Sequence, residues 1–250
     1  MPMLAAIALV ASAAGAAPAP SPPRAIHVGD GTADGSRLRP YDNAWLLSVT
    51  LPDGRIRPQG IWSDHMEAGE LNGRHILRRI QGMTYVNGVS QSTVNVFDSA
   101  TCAPITTEGR GRDGKVFRRT FDGSHIVTER PSQDITPAST AALTAPEPVF
   151  DFYGGMYGLL LSCFPLDVGY SGTFTAVDEF RDVATPVSFS VVRRERVRAG
   201  ARGEVDTLVA VVDTPGQYTE TFWLARQAPY IIRLVITVPD HSRTMSFDMI

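Results

Sequence analysis

The sequence has little excess charge of either sign and almost no lysine. Its 250 residues carry 23 Lys plus Arg against 26 Asp plus Glu, a formal net charge of −3, and Lys115 is the single lysine. A dedicated nucleic-acid-binding protein needs an excess of cations to displace phosphate counterions, and no large basic block supplies one here. We therefore do not expect nucleic acid as a partner.

Motifs for metal, cofactor or catalytic chemistry are also missing. The five histidines are scattered, without H-x-H or H-E-x-x-H spacing, and no phosphate-binding or dinucleotide-binding glycine loop occurs. The nearest cluster is Asp64-His65-Met66-Glu67 with His75, for which we expect an exposed polar loop; in a strand, His65 and Glu67 would share a face that Asp64 does not. Asp240-His241-Ser242 has the residue types of a hydrolase triad but is predicted as a turn. We expect no metal, no cofactor and no catalytic residue.

The first 23 residues contain no charged side chain. Leu4 to Val10 and the alanines that follow have the length of a signal-peptide core, and Ala14 and Ala16 fit a cleavage site. We predict a signal peptide and Pro-rich leader at residues 1–23, and hence a periplasmic or secreted protein. The alternative is an Ala/Pro-rich tail on a cytosolic protein. No later segment reaches the roughly 20 apolar residues of a membrane helix, so no integral membrane segment is expected in the mature chain.

Cysteine is rare: Cys102 and Cys163 are the only two, 61 positions apart. In an oxidising compartment they could form a disulfide, which would close a loop of that length and stabilise the fold by about 4 kcal/mol. Alternatively, Cys163 is a buried free thiol in an apolar run. The spacing does not fit a metal site.

The rest of the chain is predicted to form mainly antiparallel strands. Residues 24–43 are expected to be irregular, and residues 44–250 to form a single β-rich domain with a loop at 131–149 between two halves. Apolar residues alternate from Ala44 onward, and the turn signals Pro52-Asp53-Gly54, Asn87-Gly88 and Asp122-Gly123 separate the alternating segments. About a dozen strands follow, typical of a strongly bent antiparallel sheet or open barrel and not of a βαβ fold.

One segment is predicted as the principal helix. From Phe150 to Phe164 the apolar residues follow helical spacing, and Pro165 ends the pattern. Gly154 and Gly158 lie on one edge, where a backbone could approach a sheet closely.

A bent sheet with an apolar concave face must bury that face against a helix, a second sheet or a ligand, and one short helix covers only part of a dozen strands. The residues expected to line a lipid-sized cavity are Trp45, Leu47, Phe174, Val191, Val209, Val211, Phe222 and Leu224. The alternative is that these side chains form an ordinary core, as in small barrels.

Arginines repeat on one predicted strand. Arg194, Arg196 and Arg198 alternate and would share a face that could contact lipid phosphates or an anionic partner. A solvated outer face is the other interpretation of the same row.

One ordered set of segments is distinctive: Phe97 to Ile105, Phe121-Asp122-Gly123, Phe150-Asp151, Leu159-Leu160-Leu161, Pro165 to Ser171, Thr221 to Ala225 and Pro229 to Leu234. This order resembles a family of bacterial envelope proteins that is known as a domain of unknown function and is similar in fold to the LolA, LolB and LppX lipoprotein carriers. The resemblance covers roughly Ala44 to Ile250. It implies a half-open antiparallel sheet around an apolar cavity. It also implies that the predicted helix closes the sheet as a lid or plug, through Tyr153, Tyr157, Leu160 and Leu161.

The sequence therefore predicts a periplasmic, non-enzymatic protein that binds or carries a lipid, a lipoprotein or an acyl chain in a curved sheet. A structural or adaptor protein of the cell envelope, which docks a partner protein through a sheet edge or the Arg-rich face, is the alternative. A third hypothesis is a hydrolase whose residues converge only in three dimensions.

Overall fold

The computed structural model describes residues 23–133, 136–151, 157–178, 182–239 and 243–250. The predicted signal peptide and Pro-rich leader, apart from Pro23, lie outside the described residues, as do Tyr153, Gly154 and Asp240-His241-Ser242. The described chain is mainly β, as predicted: a single open, curved sheet contains 15 strands. Judged by length and hydropathy, none of the helices in the described part of the chain qualifies as a transmembrane helix.

The first nine strands come before the helix. They are β1 (Arg24–Ala25), β2 (Tyr41–Thr50), β3 (Ile56–Leu71), β4 (Arg74–Tyr85), β5 (Ser90–Asp98), β6 (Pro104–Arg110), β7 (Val116–Asp122), β8 (His125–Arg130) and β9 (Ser139–Thr144).

The helix and the other six strands follow. They are α1 (Gly158–Ser162), β10 (Ser171–Val177), β11 (Ala184–Arg198), β12 (Glu204–Thr214), β13 (Tyr218–Leu224), β14 (Ile231–Thr237) and β15 (Thr244–Met249), with short 3-10 helices at Gly35–Arg37 and Gly200–Arg202.

Two antiparallel meanders make up the sheet apart from β1, which pairs with β10 in parallel. β2 to β9 pair in chain order, and β10 to β15 do the same. The segment between β9 and β10 carries α1 and crosses to the far side of the sheet, so that β10 starts a second run that returns to the first. β15 then pairs with β2, with Phe247 opposite Leu47. Among the described strands, β1 and β9 form the two edges.

The hairpin prediction at Asn87-Gly88 is confirmed: β4 and β5 flank it, and Gly88 has a φ of 81°, which glycine adopts without strain. Two other predictions are wrong. Residues 24–43 are not wholly irregular, because β1 pairs with β10 and β2 begins at Tyr41. The expected loop at 131–149 contains β9, whose small polar residues and alanines hide the alternation that identifies a strand.

The helix is shorter than predicted. α1 has five residues in place of the fifteen expected from Phe150 to Phe164. Phe150 is not helical, because its backbone pairs with β10: its N–H donates to the Thr175 carbonyl at 2.9 Å. α1 is buried from Gly158 to Leu161, with Leu159, Leu160 and Leu161 at 0% exposure, so it is a plug in the core.

One face of the sheet, here called the inner face, carries the core. Trp45, Leu47, Phe174, Val191 and Phe222 all lie on it and are buried. α1 packs directly on β13: a Cβ atom added to Gly158 would lie 2.6 Å from a ring carbon of Phe222. The predicted close approach at this glycine is confirmed.

Candidate functional site

Two adjoining cavities open at the end of the inner face, beside α1. Their volumes are about 740 Å³ and 380 Å³, and both are lined by Leu208, Leu224, Ala225 and Arg226. Because they share these residues, we treat them as one continuous site, here called the Arg226 cleft. Its larger part lies over β11 and β12, and its smaller part extends to the end of α1.

The floor of the cleft is a row of residues in register across three strands. Arg194 of β11 lies opposite Leu208 of β12, which lies opposite Leu224 of β13. Residues directly opposite each other in an antiparallel pair point to the same side of the sheet. The two leucines therefore continue the apolar inner face into the cleft, and Arg194 stands at its border.

The other wall is the loop after α1 and the 3-10 helix Gly35–Arg37. Arg37 donates from Nη1 to the Phe164 carbonyl at 3.0 Å, which ties the two segments together. The Tyr230 hydroxyl donates to the Arg37 carbonyl at 3.0 Å and accepts from the Arg39 N–H at 2.7 Å. These hydrogen bonds therefore fix the 3-10 helix against the loop after α1 on one side and against Tyr230 on the other.

Ion pairs surround the cleft, and all are exposed. Arg194 contacts Asp167 at 2.6 Å, with side chains 60% and 63% exposed. A backbone hydrogen bond from Val168 and the Arg194 guanidinium hold the pKa of Asp167 below its ordinary value. Arg196 contacts Asp206 at 3.2 Å and is 68% exposed. Exposed pairs of this kind contribute at most about 1 kcal/mol, so an incoming ligand can displace them easily.

The cleft thus combines guanidinium groups at its border with aliphatic side chains beneath. Leu166, Val205 and Ala225 are partly exposed and pack against the buried core. Such a surface can bind a molecule with a polar end and an apolar end. Among the described residues, no three His, Cys, Asp or Glu side chains converge as metal ligands would.

Most of the residues predicted to line a cavity lie elsewhere. Of the eight, Leu224 is the one that lines the Arg226 cleft. Trp45, Leu47, Val191 and Phe222 belong to the continuous core. Phe174 has ring contacts with Phe150, Tyr157, Phe164 and Phe189 at centroid distances of 5.6 to 6.3 Å. At these positions the chain's own side chains fill the concave face.

The expectation that Val209 and Val211 share the inner face is wrong. Val209 lies opposite Trp223, whereas the inner-face residue Phe222 lies opposite Ala210. Val209 is nevertheless 0% exposed, because it lies between Arg193 and Trp223 on the outer face. Val211 is half-buried on the same outer face. Both valines therefore face away from the cleft.

The segment Asp64-His65-Met66-Glu67, which we expected to be an exposed polar loop, is part of β3. His65 and Glu67 share a face, as predicted for a strand, and His65 Nε2 lies 3.5 Å from Glu67. Asp64 points to the opposite side, where it is 1% exposed and accepts hydrogen bonds from Arg79 and Tyr41. Arg79 also begins a row of buried polar residues on the inner face, here called the polar band, whose members lie opposite one another on the neighbouring strands β4 to β8. The others are Asn95, Thr107, Arg119 and Thr128.

A second ionic cluster lies at the far end of this band. Arg119 contacts Asp151 at 3.4 Å and Asp182 at 2.9 Å. Burial raises the pKa of Asp151, against the effect of Arg119. Burial also acts to raise the pKa of Asp182, but hydrogen bonds from Arg130 and Arg119 outweigh it and lower the pKa. The cluster joins β7 to the segments on either side of β10.

Cys102 and Cys163 are free thiols, each 0% exposed. They come together beside the 3-10 helix: the Asp34 N–H donates to the Cys163 carbonyl at 3.0 Å, and Gly35 approaches the Cys102 sulfur. Burial, followed by a hydrogen bond between the two thiols, raises the pKa of Cys163 well above its ordinary value. The pair predicted from the sequence is therefore close in space, in the reduced state.

Sequence reasoning missed Arg37 and Arg226 as site residues. Neither lies in an alternating pattern, since Arg37 belongs to a 3-10 helix and Arg226 follows the end of β13. The alternating arginines of β11 were the sequence pattern that pointed to this region, because Arg194 and Arg196 both line the cleft.

Comparison with known proteins gives a family without an assigned activity. A search of curated proteins found no match for the chain. A family model described as "Protein of unknown function (DUF3108)" matches residues 73–248, which span strands β4 to β15 and α1. This match covers more than half of the chain, and the protein belongs to the DUF3108 family.

Proposed function

We propose that this protein is an exported, non-enzymatic binding protein that holds a lipid or acyl chain in the Arg226 cleft. The observation that carries the proposal is the cavity of about 740 Å³ whose leucine floor continues the apolar inner face. Sites for small molecules typically have volumes of about 300 to 1,000 Å³ and a mostly apolar lining.

The apolar surface of the cleft sets the size of its ligand. A ligand lying on Leu166, Val205 and Ala225 would remove these partly exposed side chains from water. Burying one methylene group contributes about 0.8 kcal/mol, so micromolar affinity requires roughly ten buried methylene groups or more. A single acyl chain is the natural occupant.

The proposed location in the envelope is supported by two further features. The open, curved sheet is the architecture implied by the resemblance to the LolA, LolB and LppX carriers. The uncharged segment from Met1 to Pro23 has the features of a signal peptide.

In a Gram-negative host we expect N-terminal sequencing to find the mature protein starting at Ala17, and Ala16→Arg to leave the precursor uncleaved. Recovery of the intact wild-type chain from the cytoplasm would contradict export.

Binding can be tested with cis-parinaric acid, whose fluorescence rises in an apolar environment. We expect saturable binding by the wild type and its loss in Ala225→Trp, because the indole would fill the space that both cavities share. Ala68→Trp, at an exposed position on β3, is the matched control and should bind as the wild type does. Equal binding by Ala225→Trp and the wild type would contradict the site.

A docking role is the second candidate, favoured by the edge strand β9. Its sequence, Ser139 to Thr144, contains neither charge nor proline, and most of its side chains are exposed. Unprotected edges of this kind pair with an added strand from a partner. A photo-crosslinking residue at position 142 would capture such a partner in cells, and its failure to do so would count against this role.

A further inference from the structure

The Arg226 cleft has more cations than anions among its lining residues. Arg37, Arg194, Arg196 and Arg226 face two acids, Glu195 and Asp206. Glu195 is paired with Arg193, which lies outside the lining, at 2.6 Å, and Asp206 is paired with Arg196. Both acids are therefore already neutralised. Arg37 and Arg194 are paired too, with Asp34 and Asp167, so among the lining residues Arg226 supplies the one positive charge that has no ion pair with the described residues.

Arg226 is the best placed of these cations to meet a ligand. It is exposed, lines both cavities, and makes no hydrogen bond or ion pair with any residue in the described part of the chain. A guanidinium group offers five N–H donors in a planar fork that matches a carboxylate or a phosphate. At Arg226 none of these donors is used in a hydrogen bond with the described residues, and its charge acts on the nearby Asp167, helping to lower the pKa of that carboxyl.

Arg194 can support the same anion. It shares the lining with Arg226, and its present partner is the exposed Asp167. Exchange of that surface pair for a ligand anion costs little, because exposed ion pairs contribute at most about 1 kcal/mol. Arg37 is more firmly held, since it is bonded to the Phe164 carbonyl and to Asp34.

We propose that the cleft selects single-chain amphiphiles with an anionic head group, which Arg226 and Arg194 bind. The chain lies on the partly exposed Leu166 and Ala225, which pack against the core that contains Leu208 and Leu224. This inference rests on the proposed function and adds the chemical class of the ligand. Ala225 lines the same cavity as both arginines, so head and chain are recognised by adjacent parts of one surface. A neutral head group would leave the Arg226 guanidinium without a hydrogen-bonded anion and would give no reason for Arg194 to leave Asp167.

The test compares cis-parinaric acid with its methyl ester, which has the same chain and no charge. We expect the acid to bind about tenfold more tightly, the effect of one hydrogen bond to a charged group. Arg226→Gln, and more strongly the double variant with Arg194→Gln, should reduce the affinity for the acid to that for the ester. Added salt should weaken binding of the acid alone.

Arg57→Gln is the matched control. Arg57 is an exposed arginine on β3 that makes no hydrogen bond or ion pair with the described residues, and it lines neither cavity. Its replacement should leave both affinities unchanged.

Three results would contradict the assignment, and they can be told apart. Equal affinity of the wild type for the acid and the ester would overturn the anionic head group and leave the cleft as an apolar site. A preference for the acid that survives in the double variant would overturn the role of these two arginines. Failure of both probes to bind would overturn the proposed function and this inference with it.

Discussion

Arg79 and Asp64 form an ion pair that is completely enclosed by the protein. The guanidinium Nη2 lies 2.7 Å from the carboxylate Oδ2, and both side chains are 0% exposed. The Tyr41 hydroxyl donates to the same carboxylate at 2.8 Å. Burial, together with the nearby Asp64 charge, raises the pKa of Tyr41 well above its ordinary value, so the phenol remains a donor.

Breaking this pair should cost much stability. Asp64→Asn leaves the buried Arg79 charge without its counterion, and we expect a loss of about 3–5 kcal/mol in the free energy of unfolding, measured by urea denaturation. Glu67→Gln is the control: it breaks the pair with Arg78 on the other face of β3, where the side chains are 43% and 47% exposed. That change should cost less than about 1 kcal/mol. Similar losses in both variants would contradict the buried role of Asp64.

Gly158→Ala tests the packing of α1 on the sheet. The added methyl group would lie 2.6 Å from Phe222 and 2.9 Å from Ile231, so α1 or β13 must move. We expect a loss of about 1–3 kcal/mol in thermal or urea unfolding, as for other overpacked cores. At Gly69 the nearest atom to an added methyl group is 3.7 Å away. Gly69→Ala should therefore be nearly neutral, and the same result for Gly158→Ala would show that α1 is not closely packed.

Cys102 and Cys163 should form a disulfide when the protein folds in oxidised glutathione. The two thiols lose two protons and two electrons, which convert glutathione disulfide to two molecules of glutathione. Mass spectrometry should find the intact protein lighter by two hydrogen atoms, and the chain-entropy estimate gives a gain of about 4 kcal/mol in stability. Cys102→Ser is the control and should show neither change. Two alkylatable thiols after oxidative folding would contradict the pairing.

The pH behaviour of His65 depends on two carboxylates, Asp42 and, with a smaller effect, Glu67. A hydrogen bond to Asp42, whose Oδ1 lies 2.6 Å from Nδ1, raises the pKa of His65 above 6.5. The charged imidazole therefore stabilises the fold below its unfolded pKa of about 6.5, and this contribution disappears as the pH rises through the folded pKa. In NMR titration, Asp42→Asn should lower the pKa of His65, whereas Asp53→Asn at a distant turn should not change it. An unchanged pKa in Asp42→Asn would contradict the contact.

Local sequence patterns predicted the strands, because a strand with one buried face alternates between apolar and polar residues. β10 follows this rule, because Phe174 and Ala176 are buried and the threonine between them is partly exposed. β4 and β5 do not, because their buried face also carries polar side chains such as Arg79 and Asn95. β9 breaks it, since alanine, serine and threonine at an exposed edge give no contrast between faces. Val209 was placed on the wrong face because valine fits either side of a strand, and its burial under Arg193 and Trp223 depends on neighbouring strands.

The candidate site could be predicted only in part, because it is assembled from distant segments. The row at Arg194 and Arg196 was visible as an alternation, and Leu224 was among the predicted lining residues. Arg37 and Arg226 approach the same cleft only after the chain folds. The buried pair of Asp64 with Arg79 was missed for a related reason: the register of β3 and β4 brings these side chains together.

The pairing of β15 with β2 has a consequence for how the chain folds. Phe247 meets Leu47 two hundred positions away, at the seam between the two meanders. Each meander can form from contacts between neighbouring hairpins, but the seam has to wait until nearly all of the described chain is available. Contacts over such long separations slow folding and expose strand edges in the meantime. A protein that crosses a membrane unfolded would therefore complete its sheet only after translocation, when both meanders are on the same side.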